Sequence, residues 1–442
     1  MDNYSIIHYG KKQYYGGLSI MKKIPYSLSD FEVIRRENYM YVDKTSYIED
    51  LEKYNKIAMF FRPRRFGKSL LTTMLDAYYA IDKDSDFDTL FKGLYIYDHP
   101  TEKRNSYYIL KFNFSGLTLN AGMPLEQQQN TFKEIVIRSI KEFSYRYSLP
   151  ISLNYDSAPA SILGDFMISF KGLGLKNKIY IIIDEYDSFI NGLIKGNSNT
   201  YKKSLEDGGF IKAFYVEIKK ATEQGVVDRF FATGVNPITR YEISDEFNIT
   251  KDISLKKNFA AISGFTKEET KKVLDECLPE SCGEAEKLEI LEYIQKQYGG
   301  YKFCKESNET LCNGNLVMYF LDELIEQGIA PDKVMDPNVM HDFSNIESSL
   351  ELVNTNNKYD FLKELLEEEC IKGQLVENYK SFSNSPKNNS IAILFYNGYL
   401  TYKDSDKFTS TFVVPNRIIR VYFAEYFSTL VKRKNPSEEK QN

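Results

Sequence analysis

The chain is short of the residues that build metal centres and disulfide frameworks, with three histidines and five cysteines among 442 residues. The cysteines (Cys277, Cys282, Cys304, Cys312 and Cys370) are odd in number and scattered. No zinc-ligand spacing appears, so reduced thiols are expected rather than bridges. Long apolar runs are missing too: nothing approaches the roughly 20 residues of a membrane span. Residues 1–23 are polar and rich in Gly and Tyr, with no apolar segment of the kind a secretory signal requires. A cytoplasmic location is expected by default. An excess of positive charge is also absent, since 62 acidic residues outnumber 57 basic ones for a net charge of −5. A nucleic-acid or anionic-membrane partner would therefore need a local basic surface. What remains is a soluble composition, 42% hydrophobic and 27% charged, long enough for two or three domains with large cores.

The most informative stretch is Phe61-Arg62-Pro63-Arg64-Arg65-Phe66-Gly67-Lys68-Ser69-Leu70. An apolar run, Ile57 to Phe61, precedes it, and Leu70 to Leu75 continues it at helical spacing. Strand, loop and helix in that order form the context of a phosphate-binding loop, in which backbone N–H groups and the positive helix end face the phosphates. Lys68 then reaches the β/γ oxygens and Ser69 holds Mg²⁺. Arg62 stands where the G-x-x-x-x-G-K-[ST] pattern has its first glycine. Arg62, Pro63, Arg64, Arg65, Phe66, Gly67, Lys68, Ser69 and Leu70 are the expected nucleotide-binding set.

A second landmark is Lys178-Ile179-Tyr180-Ile181-Ile182-Ile183-Asp184-Glu185-Tyr186-Asp187. An apolar β-forming run ending in acids describes a buried parallel strand that delivers carboxylates to a ligand crevice. In this form, that of a Walker B element, Asp184 helps hold Mg²⁺ and Glu185 orients the attacking water. A further strand from Val227 ends in Thr233-Gly234-Val235-Asn236, placing Thr233 and Asn236 where a sensor of the γ-phosphate would stand. Strands are also expected at 107–114 and 249–255, helices at 68–81, 124–149 and 207–223. Together they make a parallel five-stranded sheet in the order 5-1-4-3-2, an α/β P-loop NTPase of the ASCE/AAA-like class. The segment 41–53 runs into the first strand and is expected to pack mainly as structure, beside the nucleotide.

After Lys257 the character becomes helical. Thr266 and Glu269 form a capping-box pattern, and helices run to Gln327 with a break at Tyr298-Gly299-Gly300-Tyr301-Lys302-Phe303. Helix is expected again from Asp336, strongest at 361–366, then a loop at 381–389. A helix, a hairpin (400–402 with 412–414) and a last helix after Pro415-Asn416 follow. The expected division is a lead-in at 1–23, a nucleotide-binding core at 24–256, a helical lid at 257–345, a winged-helix-like α+β region at 346–434 and a tail at 435–442.

Tyr41-Val42-Asp43-Lys44-Thr45, Arg62 to Leu70, Ile183 to Asp187 and Thr233-Gly234-Val235 resemble, in order and spacing, the AAA-ATPase-like family, whose members are often fused to a carboxyl-terminal PD-(D/E)XK nuclease. Tyr298 to Phe303, Gly398-Tyr399-Leu400-Thr401 and Pro415-Asn416 fit as well. The resemblance implies ATP and Mg²⁺ as cofactors, with Lys68, Ser69, Asp184 and Glu185 in nucleotide and metal roles and Lys68, Glu185 and Asn236 as the catalytic set. This chain has Phe189 where the family commonly has Pro, and Asn236-Pro237 where Ser-Lys is common. It ends at Asn442, where the nuclease would begin, and no separated Asp and Glu-x-Lys is found near its end, so nuclease activity is not expected of it. Mg²⁺-dependent ATP hydrolysis coupled to movement of the carboxyl-terminal regions leads. Nucleotide sensing by a scaffold that holds a protein partner, such as a separate nuclease, is the alternative. Nucleic-acid contact has only Arg417, Arg420 and Lys432-Arg433-Lys434 behind it.

Overall fold

The computed structural model describes residues 21–115, 123–188, 209–237, 248–328, 330–331, 358–376, 385–406 and 409–434. The expected lead-in, the start of the helical stretch from Asp336, Phe189, residues 381–384 of the expected loop and the tail fall wholly or largely outside them.

Five strands form the central sheet: β1 (Ile57–Phe61), β2 (Tyr107–Asn113), β3 (Lys178–Asp184), β4 (Val227–Gly234) and β5 (Lys251–Asp252). Their order is β2-β3-β4-β1-β5, with every pairing parallel. Both faces of such a sheet must be covered, because side chains alternate across it and each face is apolar. In β3, Ile179, Ile181 and Ile183 enter one core while Tyr180 and Ile182 enter the other. In β1, Met59 and Phe61 oppose Ala58 and Phe60 in the same way.

One face carries the amino-terminal helices α1 (Phe31–Arg36) and α2 (Tyr47–Tyr54), α3 (Lys68–Tyr79), and the short α4 (Phe87–Phe91) and α5 (Tyr95–Asp98). The other carries α6 (Leu125–Arg146), α7 (Pro159–Gly172) and α8 (Phe210–Glu223). α7 is absent from the sequence reading; its buried Ile162, Leu163, Phe166, Met167 and Phe170 follow helical spacing after Pro159 at the first turn. β5 is shorter than the expected 249–255. Asp252 accepts from the N–H of Ser254, and the Ser254 hydroxyl accepts from the N–H of Phe61, so side chains replace the ladder there.

Beyond the sheet, α9 (Lys267–Cys277) opens with the expected capping box: Thr266 accepts from the N–H of Glu269, whose carboxylate accepts from the N–H of Thr266. α10 (Glu284–Tyr298) and α11 (Gly314–Gln327) follow. The last described region has α12 (Lys358–Glu367), β6 (Ile371–Gly373), α13 (Pro386–Tyr396), β7 (Thr401–Ser405), β8 (Ser410–Val413) and α14 (Arg417–Lys434). Its antiparallel sheet runs β6-β8-β7. The sequence reading has the β7–β8 hairpin but not β6, which is too short to show alternation, and it carries the preceding loop to 389, whereas α13 begins at Pro386. None of the described helices is long and apolar enough to cross a membrane.

Candidate functional site

The carboxyl ends of β1 and β3 open on a cavity of about 470 Å³, within the size range of small-molecule sites. Its floor is Arg64 to Leu71, one wall is Glu185 and Ser188, and the opposite wall comes from Pro25, Leu28 and Met40 to Val42. Ile262 to Phe265 and Gly314, Asn315 and Met318 complete it. The amino-terminal segment thus lines the cavity as well as packing on the core.

The loop turns by left-handed backbone at Arg65 (φ 68°) and Gly67 (φ 86°). At Gly67 no atom would obstruct a side chain, so the conformation rather than space calls for glycine. α3 starts immediately after it. Lys68 is buried, and its Nζ donates to the carbonyl of Pro63 at 3.0 Å. Burial lowers its pKa, opposed by the charges of Asp187, Glu185 and Asp184. Exposed Arg64 and half-buried Arg65 line the cavity.

Arg62 takes a different position from the phosphate-facing one expected of it. It is 1% exposed, donates to the carbonyls of Phe61 and Ser254 at 3.0 and 2.6 Å, and reaches those of Phe259 and Ala260 at 3.3 and 3.2 Å. Its guanidinium lies over the rings of Phe60 and Phe303 at 4.7 and 4.4 Å. Burial pushes its pKa down to about 9. Neither Arg62 nor Pro63 borders the cavity. Phe66 borders it, with its ring set edge-on to Tyr301 and Phe303 at 4.9 and 5.3 Å.

The two acids at the end of β3, Asp184 its last residue and Glu185 the next, differ in their surroundings. Asp184 is buried and keeps its Oδ1 without a hydrogen-bond partner. Desolvation raises its pKa, and the nearby Ser69 hydroxyl and the Lys68 charge oppose the rise. Glu185 has φ 52° and faces the cavity, its Oε2 accepting from the Ser188 hydroxyl at 2.8 Å. Thr233, buried at the end of β4, leaves its Oγ1 unpaired.

Asp187 is a residue to which the sequence reading gave no role. Its carboxylate accepts from the N–H groups of Val235 and Asn236 at 3.1 and 2.9 Å, and Tyr186 donates to the Asn236 carbonyl at 2.7 Å. This ties the end of β3 to the end of β4. A Cβ at Gly234 would lie 2.3 Å from Asp187 Oδ1 and 2.6 Å from the Tyr186 ring, so that glycine is demanded by the close approach. Asn236 is held at this junction and does not border the cavity. Tyr186-Asp187 shortly after the strand, set against Thr233-Gly234-Val235, is the available signal.

Lys44 also borders the cavity, donating to both oxygens of Glu269 at 2.6 and 2.7 Å and to the carbonyl of Ala261 at 2.8 Å. Burial is the main influence on its pKa and lowers it, against the pull of Glu269. Asp43 turns the same segment by accepting from Thr45 and from the N–H of Tyr95.

A loop rich in cations at the start of a helix, sharing a cavity with Glu185 from the end of β3, is the arrangement of an α/β protein that binds an anionic ligand. The family model described as Predicted AAA-ATPase matches residues 25–244, and over that span the chain belongs to the AAA-ATPase-like family. Membership points to nucleotide binding. The chain is also 25% identical over 260 residues to a protein of Azotobacter chroococcum mcd 1 described as an uncharacterized protein in the vnfD 5' region. The match covers 58% of this chain and 46% of that protein, so the chain spans about half the length of the relative.

Proposed function

We propose that the chain binds ATP with Mg²⁺ in the cavity over Arg64 to Leu71 and hydrolyses it. The observation that carries the reading is the pair of unpaired buried oxygens at the carboxyl ends of β3 and β4, Asp184 Oδ1 and Thr233 Oγ1, next to a cavity that Lys68, Ser69 and Glu185 line and that these two residues do not themselves border. Leaving such groups unpaired costs about 1–3 kcal/mol each, a cost that a site retains for a ligand. In a P-loop, Lys68 exchanges its bond to Pro63 for the phosphates, and the N–H groups entering α3 face them. Ser69 and Asp184 would hold Mg²⁺, which supplies neutralisation of phosphate charge. The donor set suits that metal, because Mg²⁺ takes few protein oxygens and keeps phosphate and water for the rest. Glu185 orients and polarises the attacking water. Thr233 serves as sensor, and Asn236, fixed by Asp187 and Tyr186, positions the strand end.

The helices of 257–327 form the lid and the region after 358 a winged-helix-like partner to it. Phe66, Arg62 and Pro63 join both to the loop, a route by which nucleotide state reaches the carboxyl-terminal regions. A second reading, ATP sensing without turnover, is favoured by the hydrogen bond that Ser188 donates to Glu185. Calorimetric titration with ATP and Mg²⁺, followed by single-turnover phosphate release, decides between them. Binding with release supports hydrolysis, and tight binding with no release establishes the scaffold.

A further inference from the structure

Two walls of the cavity come from segments far apart in sequence, and charged groups join them. Lys44, on the amino-terminal side, reaches across to both oxygens of Glu269 on α9 at 2.6 and 2.7 Å and to the Ala261 carbonyl at 2.8 Å. Every N–H donor of its ammonium is thereby used. The Glu269 carboxylate also accepts from the N–H of Thr266, so one group caps α9 and binds Lys44. Lys44 itself stands on a fixed base. Asp43 accepts from Thr45 and from the N–H of Tyr95, and the Thr45 hydroxyl accepts from the N–H of Ile96. Near the other end of α9, Lys22 pairs with Glu276 at 2.7 Å. The amino-terminal segment is therefore joined to α9 near both of its ends.

Apolar packing contributes less to this join. α9 buries Val273, Leu274 and Cys277 in the core that it shares with α10 and α11. Phe31, Ile34, Tyr41 and Ile48 of the amino-terminal segment belong to the core on the opposite face of the sheet, and Met40 is the one that reaches the core of α9 among the described residues buried there. The two ion pairs also differ in depth. The side chains of Lys22 and Glu276 are 32% and 40% exposed, those of Lys44 and Glu269 10% and 24%. An exposed pair does little to hold two elements together. A buried pair resists the loss of one partner strongly, because the other charge is left stranded, yet its own attraction is largely offset by the water that both charges gave up. Such a contact holds a wall in place and still releases it when both charges return to water.

We infer that the Lys44–Glu269 pair is a clasp between the two walls of the cavity. Closed, it holds α9 and the 261–266 segment against the amino-terminal wall. Released, it lets α9 move away from that wall while the central sheet stays intact, as lids over ligand sites do. The inference is independent of which ligand the cavity takes.

The test reads a distance across the clasp in the full chain without ligand. Spin labels are placed at Ser46→Cys and Lys272→Cys, both exposed positions, in a Cys370→Ser background because the other four cysteines are buried. Double electron–electron resonance is expected to give a single narrow distance while the clasp is intact. Lys44→Met and Glu269→Gln are each expected to raise the population of a second, longer distance by roughly tenfold or more. Glu269→Gln does so with the capping box kept, since Gln also serves at that position. Combining the two strands no charge, so the double variant is expected to open less than the product of the single effects. Lys22→Met is expected to change the long-distance population by about twofold or less. A distribution that stays narrow in both single variants overturns the clasp, and so does an equal response to Lys22→Met. Urea unfolding of the same samples exposes a purely structural role: a lower midpoint with no second distance overturns the clasp as well. Should Lys44→Met not fold, Glu269→Gln decides alone.

Discussion

The two halves of one loop do opposite work with the same kind of residue. In the first half, Arg62 is a buried cation whose two terminal guanidinium nitrogens donate to four carbonyls while its Nε has no partner, and it is sandwiched between rings; Pro63 packs against Gly398, where a Cβ would come 2.9 Å from the proline ring. In the second half, Lys68 is a buried cation with a single bond to its own loop. Three residues apart, Asp184 and Asp187 repeat the contrast: one has an oxygen left over, the other is filled by backbone N–H groups. Charges with several partners, Arg62 and Asp187, tie distant segments together, and those with few, Lys68 and Asp184, belong to the proposed nucleotide site. Burial is shared by all four, so hydrogen-bond partners rather than depth separate the two kinds of residue.

The largest effect expected from breaking this contrast is at Arg62. Arg62→Ala takes the side-chain donor from the carbonyls of Ser254 and Ala260, leaves that of Phe259 with only the Ile262 N–H, and opens a void beside Phe60 and Phe303, a loss of about 3–5 kcal/mol of stability. Urea unfolding measures it. A variant with wild-type stability would show that Arg62 is not structural.

Lys68→Ala should do the reverse, leaving the fold intact and weakening ATP by a hundredfold or more, about 3 kcal/mol for a charge-assisted phosphate contact. Calorimetry and a melting curve on the same sample check both halves. Equal ATP affinity in mutant and wild type sinks the assignment.

Glu185→Gln sharpens the comparison within the site. It removes a charge that acts in the transition state, so ATP affinity stays near wild type while single-turnover phosphate release slows by roughly a hundredfold. A matching loss of affinity would instead put Glu185 in ground-state binding.

The smallest effect is at Asp184. Its folded-state pKa lies above the unfolded value because of burial, so the folded protein holds the proton more tightly, and stability without nucleotide falls as pH rises through the folded-state pKa. Asp184→Asn removes the charge and should raise the melting temperature of the nucleotide-free protein by about 1–4 °C at neutral pH, while weakening Mg²⁺-dependent ATP binding. Unchanged pH dependence in the mutant would show that Asp184 does not carry it.

What the order of residues settled on its own is the strand-loop-helix at 57–79, the acids after β3 and the parallel sheet. Each rests on local pattern: Ile179 to Ile183 is an apolar run of sheet length, Gly67 supplies a left-handed turn, and Thr266 with Glu269 spells a capping box. The cavity walls, by contrast, were decided by tertiary structure. Ser263 and Asn315 carry no local signal, and the motif around Lys44 does not give its partner, because neighbours in space are far away in sequence, as Lys44 and Glu269 are. Arg62 shows the same limit from the other side. Its place in a cationic run suggests a phosphate contact, but it lies against Ser254, 192 residues further along. Which buried charge is satisfied depends on carbonyls and rings delivered by distant segments, and no local pattern can encode that.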